Sequence, residues 1–167
     1  MAATYFDSDF RWFLRELAAN NHKDWFDAHR ALYQDKVKAP FERFVADVVD
    51  GVMQHDPDFT PIDPKKLIFR INRDIRFAKD KSPYKPFRSA VICRAGKKAE
   101  EPMFYVRLTP EDVWIGAGLY NLGTANRDAV RQFIAAHPQD YRALVEEPAF
   151  REAFGPIQGE RTKTLPK

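Results

Sequence analysis

MFYVRLTPEDVWIGAGL, Met103 to Leu119, holds two apolar segments on either side of a short polar tetrad. Met103–Leu108 and Val113–Leu119 are rich in the β-branched and aromatic residues that favour strands. Between them, Pro110 is the second residue of the tetrad Thr109–Asp112, where its fixed φ of about −65° favours a type I turn. The stretch therefore predicts a β-hairpin, and this hairpin decides the fold class.

The second strand of this hairpin presents two different faces, because side chains alternate along a strand. One face carries Val113, Ile115, Ala117 and Leu119, and the other carries Trp114, Gly116, Gly118 and Tyr120. Two glycines flanked by aromatic residues indicate that another backbone or a ligand approaches closely there. Trp114 and Tyr120 are therefore candidates for the wall of a ligand cleft.

Two further strands are predicted upstream of the hairpin. RSAVICR, Arg88 to Arg94, is rich in β-formers, and Leu67–Ile71 is short, apolar and partly alternating. An exposed connection, Ala95 to Glu101, would join Arg94 to the hairpin. Residues 67–120 are therefore predicted to form an antiparallel β meander.

Residues 8–55 have the apolar spacing of helices. Phe10, Phe13, Leu14 and Leu17 predict a first helix, with Ser8 or Asp9 as its N-cap. Asn21 followed by Asp24 resembles a weakened capping box for a second helix. Pro40 either begins a third helix at its first position or kinks one long helix.

Residues 124–155 predict further helices. Thr124 is expected to cap the first, Pro138 and Pro148 to begin the next two, and Gly155 to stop the last. The tail, residues 156–167, has no periodicity. The whole chain, 1–167, is predicted to be a single α+β domain. In it, an antiparallel β meander packs against N-terminal and C-terminal helices.

Positive charge is concentrated in one part of the chain, the basic segment, which we define as residues 65–98. It holds twelve of the 27 Lys and Arg residues but two of the 24 Asp and Glu residues. Its formal net charge is +10, whereas the rest of the chain carries −7. Concentrated charge of one sign is unfavourable unless an anion relieves it.

In the stretch IFRINRDIRFAKDKSPYK, Ile68 to Lys85, apolar and aromatic residues lie between the charged ones. Past Asn72 the spacing of three favours a turn of helix or 3₁₀-helix over a strand. We expect the cations to lie near one another and to bind an anion, with Asp74 and Asp80 orienting them. The candidate ligand-binding residues are Arg70, Arg73, Arg76, Lys79, Lys81, Tyr84, Lys85 and Arg88.

Three interpretations of these residues stay open. A phosphate-bearing small ligand would be clamped by the arginines, since guanidinium groups bind oxyanions in a forked geometry. Alternatively, Asp74, Asp80 and acids of the N-terminal helices would neutralise the cations in a structural ion-pair network of a protein-interaction domain. Nucleic acid is the third possible partner, because basic residues interleaved with aromatic ones suit backbone contact and base stacking.

Several kinds of site are not predicted. The four histidines lack metal-ligand spacing, and no glycine-rich phosphate loop is present, so neither a metal nor a cofactor is expected. The sequence predicts no signal peptide and no membrane-spanning segment. Cys93 is expected to be a buried strand thiol in a reducing cytoplasm.

An ordered set of motifs resembles an uncharacterised family, domain of unknown function 2461. The most specific is FRINRDIRFAKDKSPYK, Phe69 to Lys85. It is accompanied by Ala19-Asn20-Asn21, Trp25-Phe26, Pro40-Phe41, Gly116 with Gly118, and EPAFREAFG from Glu147 to Gly155. The resemblance implies that the basic segment is the hallmark of the family, but it implies no activity, cofactor or catalytic residue. It also implies a further segment past GERTKTLPK, to a domain size of ~200 residues.

Overall fold

The computed structural model describes residues 4–56, 58–59, 63–94, 96–97, 100–120 and 122–159. Two compact units divide the chain, Met1–Asn121 and Leu122–Lys167. In the first unit the helices precede a sheet. They are α1 (Ser8–Ala19), α2 (Lys23–Ala28), α3 (Arg30–Leu32), a π-helical segment (Tyr33–Lys38), α4 (Ala39–His55) and α5 (Pro64–Leu67).

The first helix, α1, begins one residue earlier than either predicted cap allows. Asp7, in extended conformation, is the N-cap, and its carboxylate accepts a hydrogen bond of 3.0 Å from the Phe10 backbone N–H. The predicted caps Ser8 and Asp9 are therefore wrong, because both already lie in the first turn. The second helix, α2, is capped by the His22 side chain rather than by Asn21.

Pro40 lies in the first turn of α4, directly after the π-helical segment. In that segment the Ala39 N–H donates to the Gln34 carbonyl, five residues back. Proline has no N–H for the usual bond to the fourth residue back, and a wider turn before it accommodates that loss. The chain is helical from Arg30 to His55, and the π-helical turn resets which residues face the core.

The sheet contains β1 (Arg88–Ile92), β2 (Met103–Leu108) and β3 (Val113–Gly118), in the antiparallel order β1-β2-β3. Leu108 lies opposite both Arg88 and Val113. In the turn, the Thr109 N–H donates to the Asp112 carbonyl at 2.9 Å, and the Asp112 N–H donates to the Thr109 hydroxyl at 2.8 Å. The predicted hairpin, the antiparallel meander and the α+β class are confirmed.

The strand predicted for Leu67–Ile71 is wrong. Pro64 opens the short helix α5, and the Asp63 carboxylate caps it by accepting from the Lys65 N–H at 3.0 Å. The extended residues that follow make isolated bridges, Ile68 to Ala90 and Asn72 to Tyr84. An aspartate before proline starts a helical turn, and that local preference competes with the short apolar pattern.

One hydrophobic core joins the N-terminal helices to β1. Phe13, Leu14, Phe41 and Val45 are fully buried on the helix side. All five residues of β1, an edge strand of the sheet, are buried too. β1 therefore packs against α4 and α5 as well as against its partner strand β2.

The second unit contains α6 (Thr124–Ala136), α7 (Pro138–Glu146) and α8 (Pro148–Phe154). The predicted Thr124 cap is wrong, because Thr124 is already the first residue of α6 and Gly123 is its N-cap. Pro138 and Pro148 begin their helices, as predicted, and Gly155 follows α8 with a φ of 72° that favours glycine. The predicted tail is described as far as residue 159 and has no helix or strand there. Among the described residues, no helix has the length and apolar character required to cross a membrane.

Candidate functional site

Within the basic segment, residues 71–73 and 83–85 pair as a narrow antiparallel stem, with an irregular loop at its end. The Arg73 N–H donates to the Pro83 carbonyl, and the Lys85 N–H donates to the Ile71 carbonyl, both at 2.8 Å. Asn72 and Tyr84 form the bridge between these bonds. The helical turn predicted past Asn72 is wrong, because residues 73–83 are neither α- nor 3₁₀-helical. The hydrogen bond from the Arg73 N–H to the Pro83 carbonyl joins the two ends of this stretch and closes it into a loop.

The loop, residues 74–82, and the adjoining Arg73 form their own ion pairs. Arg73 pairs with Asp80. Arg76 donates two hydrogen bonds to Asp74, of 2.9 Å from Nε to Oδ1 and 2.7 Å from Nη2 to Oδ2. Two of the predicted ligand-binding arginines therefore already have carboxylate partners.

The two loop carboxylates are held in their ionised form. Hydrogen bonds from the Ser82 hydroxyl and N–H, and then from Arg73, hold the pKa of Asp80 well below its usual range. The Arg76 side chain and N–H lower the pKa of Asp74 in the same way. A carboxylate with a depressed pKa is a weak base, so these acids are suited to holding the loop rather than to proton transfer.

The end of the loop faces solvent. Phe77 is 95% exposed, and the Lys81 ammonium donates to the Ile75 carbonyl at 3.0 Å. Lys79 makes no ion pair with any residue that the structure describes. None of Arg73, Arg76, Lys79 and Lys81 lines the cavity that the stem helps to form.

That cavity, of about 610 Å³, lies beside the stem. One side of the cavity is formed by the extended residues 68–72, together with Tyr84 and Arg88. Tyr84 is buried and stacks on Phe26, with ring centroids 4.1 Å apart. Cavities of this volume commonly hold small-molecule ligands.

The other side of the cavity is a polar row on the helices. Arg30, Gln34, Lys38 and Glu42 recur every four residues and all line it. Two of them, with Tyr33, belong to the π-helical segment. Single π-helical turns are frequent at functional sites because they reposition side chains that a regular helix would direct elsewhere.

Arg88 lines this cavity and is 3% exposed. Its guanidinium carbon lies 5.3 Å from the Phe41 ring centroid and 5.9 Å from that of Tyr33. It makes no ion pair with a described residue, and its buried Nε has no hydrogen-bond partner. Burial lowers the pKa of Arg88, and Tyr33 and Glu42 oppose that effect. Arginine nevertheless stays protonated in proteins, so Arg88 is a buried cation that feels the charge of Glu42 but makes no ion pair with a described carboxylate.

The cavity has an excess of positive charge. Arg30 pairs with Asp27, and Lys38 lies 4.0 Å from Glu42. The other cations of its lining have no ion pair in the described part of the chain; these are Lys65, Arg70, Arg88 and Lys97.

Two lysines interact with Phe69, a residue of the cavity wall. The ammonium nitrogens of Lys85 and Lys97 each lie 5.5 Å from its ring centroid. Lys85 donates to the Arg70 carbonyl at 3.1 Å, and Lys97 donates to the Ile68 carbonyl at 2.8 Å. Burial, and then the charges of Arg88, Arg70 and Lys97, lower the pKa of Lys85. Lys85 thus lies next to the cavity and adds to its positive potential.

Trp114 and Tyr120 do not line this cavity. The Trp114 ring covers Gly116, where an added Cβ would lie 2.7 Å from a ring carbon. The same ring makes an edge contact with Tyr105 at 5.4 Å. The close approach predicted at Gly116 is therefore made by a neighbouring side chain.

The family model for conserved hypothetical proteins named DUF2461 matches residues 10–167. The chain belongs to this family. Neither a curated protein nor a solved structure matches the chain. In this DUF2461 chain the motif Phe69–Lys85 contains Arg70, the stem and the loop.

Sequence reasoning missed the helical half of the site. Arg30, Gln34, Lys38 and Glu42 were not among the candidates, although a polar row at a spacing of four beside an apolar row is visible in the sequence. Lys65 and Lys97 were counted in the charge but not assigned to a site. Among the described residues, no group of three or more His, Cys, Asp and Glu side chains is placed to hold a metal ion.

Proposed function

We propose that the cavity between the stem and the polar helical row binds a small, phosphate-bearing anion. Arg88 is the central contact, and Arg70, Lys65 and Lys97 supply further positive charge. Lys85 strengthens the field from beside the cavity. The loop serves a different purpose in this proposal, since its arginines are occupied by Asp74 and Asp80.

The observation that carries the proposal is the unpartnered Arg88. Burying a guanidinium costs several kcal/mol unless a carboxylate and hydrogen bonds offset the cost. Arg88 makes no ion pair and no side-chain hydrogen bond with a described residue, and it lines a cavity of about 610 Å³. A bound oxyanion would supply both the counter-charge and the acceptors, in the forked geometry that arginine favours.

The structural ion-pair network is the better account of the loop. Arg73–Asp80 and Arg76–Asp74 are the pairs that such a network requires. This second role is compatible with ligand binding, since none of these four residues lines the cavity.

Nucleic-acid binding and a cytoplasmic location stay predictions. Exposed Phe77 and Lys79 would suit contact with a nucleic acid, and the buried free thiol of Cys93 suits a reducing compartment.

A thermal-shift titration with inorganic phosphate tests the proposal. Because a ligand that binds the folded state stabilises it, phosphate at 100-fold its Kd should stabilise the protein by about 2.7 kcal/mol and raise Tm by several degrees. Arg88→Met should abolish the shift. Arg43→Met, which removes one exposed charge outside the cavity, should retain it.

Equal phosphate shifts in Arg88→Met and Arg43→Met would contradict the proposal, since they would show that phosphate acts elsewhere. Absence of a shift in the wild type would contradict it directly.

A further inference from the structure

We infer that the ligand of this cavity is a phosphate monoester whose body carries hydroxyl groups, of the sugar-phosphate class. The inference rests on the proposed phosphate site and deepens it. It rests on polar groups of the cavity that would not be required to bind inorganic phosphate.

Glu42 is the first of these groups. Its carboxylate lines the cavity, and its closest ionic partner among the described residues is Lys38, at 4.0 Å. Glu42 accepts no hydrogen bond from a residue that the structure describes. A carboxylate beside an anion site repels a bare phosphate, but it is a strong acceptor for a hydroxyl group of the same ligand.

Two neutral amides accompany Glu42. Gln34 lies on the same helical row, and Asn72 lies on the opposite, extended side. Side-chain amides both donate and accept, which matches a hydroxyl group that does the same. The cavity thus has cations that suit a phosphate, together with an acceptor and two amides that suit a polyol.

Other ligand bodies fit less well. An ammonium group would face Lys65, Arg70, Arg88 and Lys97, which make no ion pair with a described residue. A stacked base would need a free aromatic face. In the lining, the Phe69 ring interacts with Lys85 and Lys97, Phe26 and Tyr84 stack on each other, and Tyr33 lies against Arg88. A hydroxylated body meets neither difficulty.

A comparison of two ligands in two proteins tests the inference. Ribose 5-phosphate and n-pentyl phosphate carry the same charge and the same number of carbons, but only the first has hydroxyl groups. By calorimetry, we expect the wild type to bind ribose 5-phosphate about tenfold more tightly, the effect of one or two hydrogen bonds to a charged acceptor. In Glu42→Gln the preference should fall to about twofold.

Glu111→Gln is the matched control, because Glu111 lies in the β2–β3 turn, away from the cavity. It should keep the full preference. Circular dichroism of Glu42→Gln should show that the helices are intact.

Equal affinities of the wild type for the two esters would overturn the inference and leave the phosphate site standing. A preference that survives in Glu42→Gln would overturn it as well. If neither ester binds, both the proposed function and the inference fail.

Discussion

Arg88 occupies the first position of β1, a strand in which every residue is buried. Its charge is surrounded by the rings of Phe41 and Tyr33 rather than by a carboxylate. Contact with aromatic faces offsets part of the cost of burial, but less than a forked ion pair would. In the proposed site, Arg88 would therefore stabilise a bound anion at some cost to the stability of the ligand-free protein.

Arg88→Met should leave the stability of the ligand-free protein unchanged or raise it by up to about 2 kcal/mol, because an apolar side chain removes the buried charge. Urea denaturation in a buffer without phosphate measures this effect. A loss of more than about 1 kcal/mol would instead show that Arg88 is needed for folding.

The sequence allowed Arg88 to be named as a candidate, because it shows a positive charge at the start of a predicted strand. It does not show what surrounds that charge. Its lack of a partner depends on which residues the helices bring to it. Tyr33 and Phe41 lie far from Arg88 along the chain, so no local pattern contains that information.

The side chain of Asn21, which lies between α1 and α2, holds the stem by two hydrogen bonds. Its amide donates to the Tyr84 carbonyl at 2.9 Å and accepts from the Tyr84 N–H at 3.0 Å. A single side chain thus satisfies both backbone groups of Tyr84, as a neighbouring strand would. Tyr84 lines the cavity and pairs with Asn72, so this contact sets the position of the stem relative to α2.

Asn21→Ala should lower the free energy of unfolding by about 2 kcal/mol, because it leaves a part-buried donor and acceptor of Tyr84 unsatisfied. Chemical denaturation measures the loss. Asn20→Ala is the neighbouring control, since its amide bonds within α1, to Glu16, and we expect a smaller loss from it. Equal losses in the two variants would contradict this role of Asn21.

Elements with a strong local signal were predictable. The hairpin was predictable because Pro110 favours a turn between two β-rich segments. Helix α1 was predictable because its apolar spacing is regular. The π-helical segment was not, since it arises where the helix meets Pro40 and must still place Tyr33 and Val37 in the core. The polar row of Arg30, Gln34, Lys38 and Glu42 depends on that segment, which is one reason the helical half of the site was missed.

For the molecule as a whole, the +10 charge of the basic segment falls into two regions with different surroundings. Part of that charge is neutralised within the segment, by Asp74 and Asp80. Another part lines a cavity whose opposite side comes from helices some forty residues earlier. Of the three interpretations that the sequence left open, the internal network thus suits the loop, the proposed ligand site uses the cavity, and nucleic-acid binding stays a prediction.

The central claim is that an anion binds at Arg88, and nuclear magnetic resonance of the arginine side chains tests it most directly. The Nε–Hε signal of Arg88, assigned by its loss in Arg88→Met, reports on the guanidinium group without any change to the protein. We predict that inorganic phosphate shifts this signal in a saturable manner, with the Kd found by thermal shift. A signal that stays in place while phosphate raises Tm would contradict the account.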